Sequence, residues 1–207
     1  MHITIIGTGF VGVVSAAVFA KLGNSVIGLD VDATRVTALQ AGKVPFFEPD
    51  LEKLLVSTQK KGNLLFTTSY QDAIPSTDVI MIAVGTPSKK NGEADLKYLM
   101  SSVDSLTPFL KEGTIIAIKS TVPPGTCDVV TGHIHSLIKE QKLKLKKFSV
   151  VSLPEFLREG TAVHDTLHPD RILIGATDPK VISTLKKLHA PLKAPILVMS
   201  PKSAQMS

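Results

Sequence analysis

The chain has a single cysteine and no long apolar run, and each shortage excludes a class of protein. Cys127 has no partner for an internal disulfide, and neither a CxxC pair nor a Cys/His cluster of metal-ligand spacing is present. We therefore expect a protein of a reducing compartment, the cytoplasm, with no bound metal. No apolar run approaches the ~20 residues that span a bilayer, so no membrane association is expected. Only Met1 and His2 precede the first apolar run, so the basic start of a signal peptide is absent.

Basic residues exceed acidic ones, 23 to 18, but their distribution argues against a nucleic-acid partner. Much of the excess lies between Lys139 and Lys147, where no aromatic residue alternates with the lysines as base stacking would require. This run is typical of a solvated helix end. With 43% hydrophobic and 20% charged residues, the composition is that of an ordinary globular protein.

Short β-rich runs alternate with helical patterns along the whole chain, which is typical of βαβ units. The pattern predicts an α/β fold of the Rossmann type, with a doubly wound, mainly parallel sheet and helices on both faces. We expect strands at Ile3–Ile6, Ser25–Leu29, Leu64–Thr67, Val79–Val84, Thr114–Lys119, Ser149–Ser152, Ile172–Gly175 and Ile196–Met199. We expect helices at Val11–Leu22, Ala33–Ala41, Leu51–Lys60, Leu96–Leu110, Thr126–Glu140 and Pro179–His189. Loops are expected at Gly42–Asp50, Gly85–Asp95 and Pro154–Pro169.

A glycine pattern directly follows the first strand and opens the first helix. In this GxGxxG, Gly7 permits the tight turn, Gly9 allows a pyrophosphate to approach the backbone, and Gly12 allows close helix–strand packing. Phe10 and Val11 complete the turn. The free N–H groups at the helix start favour phosphate, so the pattern predicts a dinucleotide site.

The second strand ends at Asp30, 18 residues after Gly12, where an acid can accept hydrogen bonds from ribose hydroxyls. Because a carboxylate repels the 2′-phosphate of NADP, we predict that the cofactor is NAD. The nearby Arg35 weakens that discrimination. The alternative is that Asp30 only caps the helix that begins near Ala33.

Several further motifs occur in order along the chain. They are Phe47-Glu48-Pro49, Val84-Gly85-Thr86-Pro87, Ala94-Asp95-Leu96, Lys119-Ser120-Thr121-Val122-Pro123-Pro124-Gly125, Pro154-Glu155-Phe156-Leu157-Arg158-Glu159-Gly160 and His168-Pro169-Asp170-Arg171. With these motifs, residues 1 to 206 closely resemble the amino-terminal domain of the UDP-glucose 6-dehydrogenase family. The resemblance implies an NAD-dependent enzyme that oxidises UDP-glucose at C6 to UDP-glucuronate through a cysteine thioester. It also implies that residues 1–200 form the NAD-binding domain and that residues 201–207 begin the helix to a second domain.

The resemblance also implies roles for individual residues. Thr121 and Glu155 would carry the chemistry, and the loop of Glu155, Phe156, Leu157, Arg158 and Glu159 would contact the nucleotide sugar. The implied NAD contacts are Gly7, Gly9, Phe10, Val11, Gly12, Asp30, Arg35, Gly85, Thr86, Pro87, Thr121 and Glu159.

Thioester hydrolysis needs an oriented, deprotonated water, and a carboxylate beside a hydroxyl suits that task. Glu155 is the candidate base or proton relay, and the Thr121 hydroxyl would hold the water or the carboxylate. From the residues alone, the favoured interpretation of Glu155 is an acid that interacts with a helix N-terminus, and it is the resemblance that favours the catalytic role instead. Thr121 has the alternative of being only a strand end restricted by the proline that follows Val122.

The chain departs from the family at Leu153, where the family has an asparagine before Pro-Glu-Phe, and Leu153 lacks the amide's hydrogen bonds. The Lys, Asn and glycine-flanked nucleophilic Cys of the family are not in this sequence. Cys127 does not replace that nucleophile, although its predicted place at a helix start would lower a thiol pKa. His133 with His135, and His164 with His168, lack the further ligands of a metal site.

We therefore expect the chain to be part of a longer dehydrogenase that binds NAD and is inactive alone. GDP-mannose and UDP-N-acetylmannosamine are the alternative substrates, and a non-catalytic NAD-binding module is the alternative outside enzymes. The resemblance implies a homodimer for the complete protein and leaves the oligomeric state of this chain open.

Overall fold

A computed structural model describes Met1–Ser207 and contains one eight-stranded sheet. The strands lie in the order β3-β2-β1-β4-β5-β6-β7-β8. Their bounds are β1 His2–Ile6, β2 Ser25–Leu29, β3 Leu64–Thr67, β4 Val79–Ile82, β5 Thr114–Ile118, β6 Phe148–Ser152, β7 Ile172–Gly175 and β8 Ile196–Met199.

The sheet is doubly wound, which confirms the predicted fold class. From β1 the chain adds β2 and β3 on one side, then returns to place β4 on the other side of β1. The strand order therefore reverses between β1 and β4, and a ligand crevice is expected at their carboxyl ends. All neighbouring strands pair in parallel except β6 and β7.

Helices cover both faces of the sheet. In β4, Val79 and Met81 face one apolar cluster while Ile80 and Ile82 face the other, so this strand is apolar throughout, as a strand buried on both faces must be. The helices are α1 Phe10–Lys21, α2 Ala33–Gln40, α3 Leu51–Lys60, α4 Tyr70–Ala73, α5 Lys97–Leu106, α6 Thr126–Glu140, α7 Ala162–Leu167, α8 Pro179–His189 and α9 Pro201–Ala204. Of these, α4, α5 and α6 pack on one face, and α1, α2, α3, α7 and α8 on the other.

The first helix is the most deeply buried. Residues Gly12–Ala20 of α1 are all buried, because the helix has apolar or small residues all round and lies between the sheet and its neighbours. The glycine turn therefore leads directly into a buried helix.

Two expectations need correction. The predicted loop Pro154–Pro169 contains α7, and the predicted helix Leu96–Leu110 ends at Leu106 before a 3-10 turn at Thr107–Phe109, which includes Pro108. A proline lacks the N–H that would continue the helix ladder.

The strand pair β6–β7 is antiparallel and joined only at Ser152 and Gly175. No helix combines the length and apolarity needed to cross a bilayer.

Candidate functional site

The glycine turn between β1 and α1 brings the backbone of two elements into close contact. A Cβ on Gly12 would lie 1.8 Å from the Gly7 carbonyl oxygen, so no other residue fits there. Gly7 has φ +90°, a conformation that favours glycine, and a Cβ there would lie 2.8 Å from the Ala83 oxygen. A Cβ on Gly9 would meet nothing within 4 Å. Gly9 therefore borders open space at the start of α1, as a pyrophosphate site requires.

Asp30 lies at the end of β2, beside the glycine turn. Its Oδ2 accepts hydrogen bonds from the Thr8 N–H at 2.7 Å, the Thr8 hydroxyl at 2.9 Å and Arg35 Nη1 at 3.1 Å. Its Oδ1 accepts only the Asp32 N–H, at 3.0 Å, and keeps a lone pair for a ligand hydroxyl. The alternative that Asp30 caps α2 is wrong, because Asp32 is the cap and accepts from the Arg35 N–H.

The environment of Asp30 favours its charged form. Burial raises the pKa of the carboxyl, but the N–H groups of Thr8 and Asp32, the Thr8 hydroxyl and the charge of Arg35 together hold the pKa below its usual value. A fixed negative charge therefore stands at the floor of the crevice, where it suits a ribose diol and repels a 2′-phosphate.

A cleft of about 410 Å³ opens over these residues. One wall is formed by Gly7, Gly9 and the residues from Leu29 to Asp32, and the opposite wall by side chains of α4 and α5. The sequence did not predict the side chains of that second wall, which are Tyr70, Tyr98, Ser101 and Ser102. The place of Tyr98 was foreseeable, because α5 follows the loop that leaves β4 at the strand-order reversal. Tyr70 lies on α4, a one-turn helix for which no apolar period is readable.

Two predicted site threonines meet at the carboxyl edge of the sheet. The Thr86 hydroxyl donates to the Thr121 carbonyl oxygen at 2.7 Å, so the loops after β4 and β5 are joined there. Ile118 of β5 pairs with Ser152 of β6. Thr121 and Glu155 each follow those paired residues by three positions and therefore leave the same edge on neighbouring strands.

A second cavity, of about 260 Å³, lies beneath the loop that follows β6. Glu155 lines it together with Lys119, from the end of β5, and His189, from the end of α8. Burial lowers the pKa of Lys119 to about 8, against the opposing effect of the Glu155 carboxylate. Lys119 was not among the predicted functional residues, although a lysine that directly follows the buried strand β5 is unusual.

The loop of Glu155–Glu159 is held by its own side chains. Glu155 Oε2 accepts from the Leu157 N–H at 2.6 Å. Arg158 binds Asp165 with Nε at 3.0 Å and Nη2 at 2.8 Å, and this hydrogen bonding lowers the pKa of the Asp165 carboxyl. The Phe156 ring lies under Arg171, whose guanidinium carbon is 4.8 Å from the ring centroid. Glu159 is exposed at the loop surface.

A distant carboxylate holds the end of this loop. Glu48, from the segment before α3, is buried and accepts hydrogen bonds from the Gly160 N–H at 2.8 Å and the Val163 N–H at 3.2 Å. The neighbouring Phe46 packs against Phe10, with ring centroids 5.2 Å apart. Residues 46–48 thus contact both the glycine turn and the loop.

Two further residues, Leu153 and Cys127, are buried and offer no polar or nucleophilic group to the site. Leu153 is buried in the larger apolar cluster and lines the second cavity, so no amide is present at this position. Burial raises the pKa of Cys127 to about 12, an effect that the Asp128 charge reinforces. Burial therefore outweighs the acidifying effect of the helix start, and Cys127 is a poor nucleophile.

This arrangement fits one known family. Residues 1–193 match the sequence model of the UDP-glucose/GDP-mannose dehydrogenase family, NAD binding domain. The chain belongs to this family. Its cofactor is accordingly NAD, and the glycine turn, the Asp30 carboxylate and the open space at Gly9 fit that group.

Known members are similar over the whole chain. A UDP-glucose 6-dehydrogenase of Bacillus subtilis is 41% identical over 206 residues, which are 100% of this chain and 46% of that protein. A GDP-mannose dehydrogenase from Pseudomonas aeruginosa has a TM-score of 0.93 at 36% identity, with 100% of this chain and 48% of that chain covered. A UDP-glucose dehydrogenase from Pyrobaculum islandicum has a TM-score of 0.91 at 40% identity, with 99% and 47% covered. The chain thus spans about half the length of the relatives it matches.

Proposed function

We propose that this chain is the cofactor-binding half of a dehydrogenase that oxidises UDP-glucose at C6 to UDP-glucuronate. The observation that carries the proposal is the 41% identity to a UDP-glucose 6-dehydrogenase over 206 residues, which are 100% of this chain. When bound, NAD accepts the hydride removed from the sugar carbon.

The cofactor's orientation is part of the proposal. The N–H groups at the start of α1 bind the pyrophosphate beside Gly9, and Asp30 Oδ1 accepts from a hydroxyl of the adenine ribose. The adenine would be held by Val31 and Tyr98, which are both exposed in the cleft near Asp30. The nicotinamide would be held by Gly85, Thr86 and Thr121, on the side of the loop of Glu155–Glu159.

The chemical roles follow from that orientation. Glu155 accepts or relays a proton at the sugar end of the cleft, and the Thr121 hydroxyl orients the water or the carboxylate. Lys119, in the same cavity as Glu155, supplies a positive charge that stabilises the carboxylate. Phe156, Leu157, Arg158 and Glu159 bind the nucleotide sugar, with Glu159 also at the cofactor. Formation of the thioester intermediate would require a nucleophile other than Cys127, because the Cys127 thiol is buried and its pKa is high.

A second candidate substrate is GDP-mannose. The structural similarity to the Pseudomonas aeruginosa GDP-mannose dehydrogenase favours it, since the fold match covers the whole chain at 36% identity. Both substrates present a primary alcohol and a diphosphate, so the residues near the nicotinamide serve either one.

Calorimetric titration of the purified chain with NAD, followed by UDP-glucose or GDP-mannose at saturating NAD, tests the proposal. We expect NAD binding, tighter binding of UDP-glucose than of GDP-mannose, and no NADH formation. Tighter binding of GDP-mannose would replace the first substrate with the second. Sustained NADH formation would refute the expectation that this chain is inactive alone.

A further inference from the structure

The segment Glu155–Leu167 has few hydrogen bonds to distant parts of the chain. Apart from its own internal bonds, both hydrogen bonds that join it to a remote segment end on Glu48. They bridge 112 and 115 positions of sequence, from Gly160 and Val163 respectively. Glu48 therefore provides the hydrogen-bonded attachment of this segment, while apolar side chains of α7 pack against α1 and the core.

Glu48 also caps the N-terminus of α7, a role that a residue next to the helix usually fills. Thr161 is at the N-cap position but makes no capping hydrogen bond, because its hydroxyl donates to Asp165 Oδ2 at 3.0 Å. The Glu48 carboxylate takes the free N–H of Val163 in the first turn, and that of Gly160 just before the helix. Gly160 has φ +85°, which turns the chain so that its N–H faces the carboxylate.

The two N–H donors satisfy the carboxylate of Glu48, which has no cationic partner. Glu48 is only 6% exposed, and none of the ion pairs of the chain includes it. A buried carboxylate is destabilising unless hydrogen bonds satisfy it, so the geometry that keeps both N–H groups in place is strongly preferred. Because two N–H groups bind the two carboxylate oxygens, Glu48 fixes both the position and the orientation of the loop end.

We propose that Glu48 is a positioning residue that holds the loop of Glu155–Glu159 in register with the NAD cleft. The proposal rests on the role of that loop in nucleotide-sugar binding given above. Phe46 supplies the other end of the link, because it packs on Phe10 at the start of α1. Residues 46–48 thus set the distance between the pyrophosphate turn and the loop.

The test compares Glu48→Gln with Glu52→Gln. Glutamine has the shape of glutamate, but its NH₂ group would face one of the two N–H donors, so that bond is lost and replaced by repulsion. Glu52 is a matched control: it is an exposed carboxylate near the same segment that accepts only the Val44 N–H, at 3.3 Å. Glu48→Asp keeps the charge but is too short to reach both donors, and it provides the test if Glu48→Gln does not fold.

Two measurements decide the outcome. Hydrogen exchange of residues 155–163 is expected to be about tenfold faster in Glu48→Gln and unchanged in Glu52→Gln. At saturating NAD, the affinity for UDP-glucose is expected to fall about tenfold in Glu48→Gln, with NAD affinity within about twofold of the original chain. Equal exchange in the two variants would overturn the proposal, and so would an equal loss of NAD and UDP-glucose affinity, which indicates general destabilisation. If the unchanged chain binds no UDP-glucose, the substrate proposal fails, and the exchange rates with NAD affinity still decide the role of Glu48.

Discussion

Thr8 donates both its backbone N–H and its hydroxyl to one carboxylate oxygen of Asp30, at 2.7 and 2.9 Å. Together with Arg35 these donors occupy Oδ2 and leave Oδ1 facing the cleft with one protein partner. The carboxylate is thus oriented before any cofactor arrives, and pre-orientation lowers the entropy lost on binding.

Replacement of Asp30 by asparagine is expected to weaken NAD binding. A hydrogen bond to a charged group contributes about 1.5–3 kcal/mol, so the affinity should fall at least about tenfold. The preference for NAD over NADP should narrow as well, because the repulsive charge is gone. Calorimetric titration with both cofactors measures this change, with Asp178→Asn as the control, because Asp178 caps α8 outside the cleft and asparagine still caps a helix. Unchanged NAD affinity in Asp30→Asn would contradict the proposed ribose contact.

The two tyrosines make cofactor binding directly observable. The chain has no tryptophan and only Tyr70 and Tyr98, which both line the cleft. NAD is expected to change the intrinsic tyrosine fluorescence saturably, at the concentration that calorimetry gives. Tyr98→Ala should weaken NAD binding about tenfold through loss of base stacking, whereas Tyr98→Phe should retain it. Equal affinity of the alanine and phenylalanine variants would place the adenine elsewhere.

The glycines of α1 and α6 are expected to respond oppositely to alanine. Gly12→Ala would place a Cβ against the Gly7 oxygen and should lower the free energy of unfolding by about 3 kcal/mol. Gly132 is exposed within α6 and has nothing within 4 Å of an added Cβ. Gly132→Ala should therefore stabilise the chain by roughly 0.5–1 kcal/mol. Urea unfolding measures both, and a tolerated Gly12→Ala would disprove the tight packing of the turn.

His189 should make stability depend on pH. Burial lowers its pKa from 6.5 to about 4, so the unfolded chain takes up this proton at a higher pH than the folded one. The contribution is complete above pH 6.5 and is lost as the pH falls towards 4, by about 3 kcal/mol. His189→Gln should remove this part of the pH dependence, and His2→Gln, at an exposed site, should not. Urea unfolding at pH 7 and pH 5 tests the difference; parallel losses in all three proteins would exclude His189 as the cause.

Cys127 is expected to resist thiol reagents in the folded chain. With a pKa of about 12, roughly one thiol in ten thousand is ionised at pH 8, and the residue is only 3% exposed. A coloured disulfide reagent should therefore label the native chain very slowly and the urea-unfolded chain rapidly, at one thiol each. Rapid labelling of the native chain would return Cys127 to the candidates for the nucleophile.

Most of the fold was predictable because its signals are local. Continuous apolar runs such as Val79–Ile82 identify buried parallel strands, and α3, α6 and α8 have the predicted bounds. The helix α7 was not predictable in this way, because its cap is Glu48, more than 110 residues away. The antiparallel pairing of β7 was equally hidden, since it depends on one contact between Ser152 and Gly175.

The residues of the candidate site also fall into two groups, those that the sequence predicted and those that only the structure shows. Gly7, Gly9, Gly12 and Asp30 belong to a compact motif whose spacing has a physical meaning, so the sequence predicted them. The structure places Gly7, Gly9 and Asp30 around one cleft and packs Gly12 against Gly7. Glu48 and Lys119 lie in motifs that gave no indication of their contacts, and Tyr98 lies in no motif, so only the folded chain shows where these side chains lie. The roles of Thr121, Glu155 and the loop to Glu159 stay predictions.

The long reach of Glu48 also orders events during folding. A contact that closes more than 110 residues forms slowly, because a large loop of chain must be ordered before the contact stabilises anything. On a ribosome, Glu48 emerges long before Gly160 and Val163 exist. The loop of Glu155–Glu159 is therefore expected to be among the last parts to acquire its native structure, and an early pause in synthesis would leave a chain whose glycine turn is formed while this loop has no anchor.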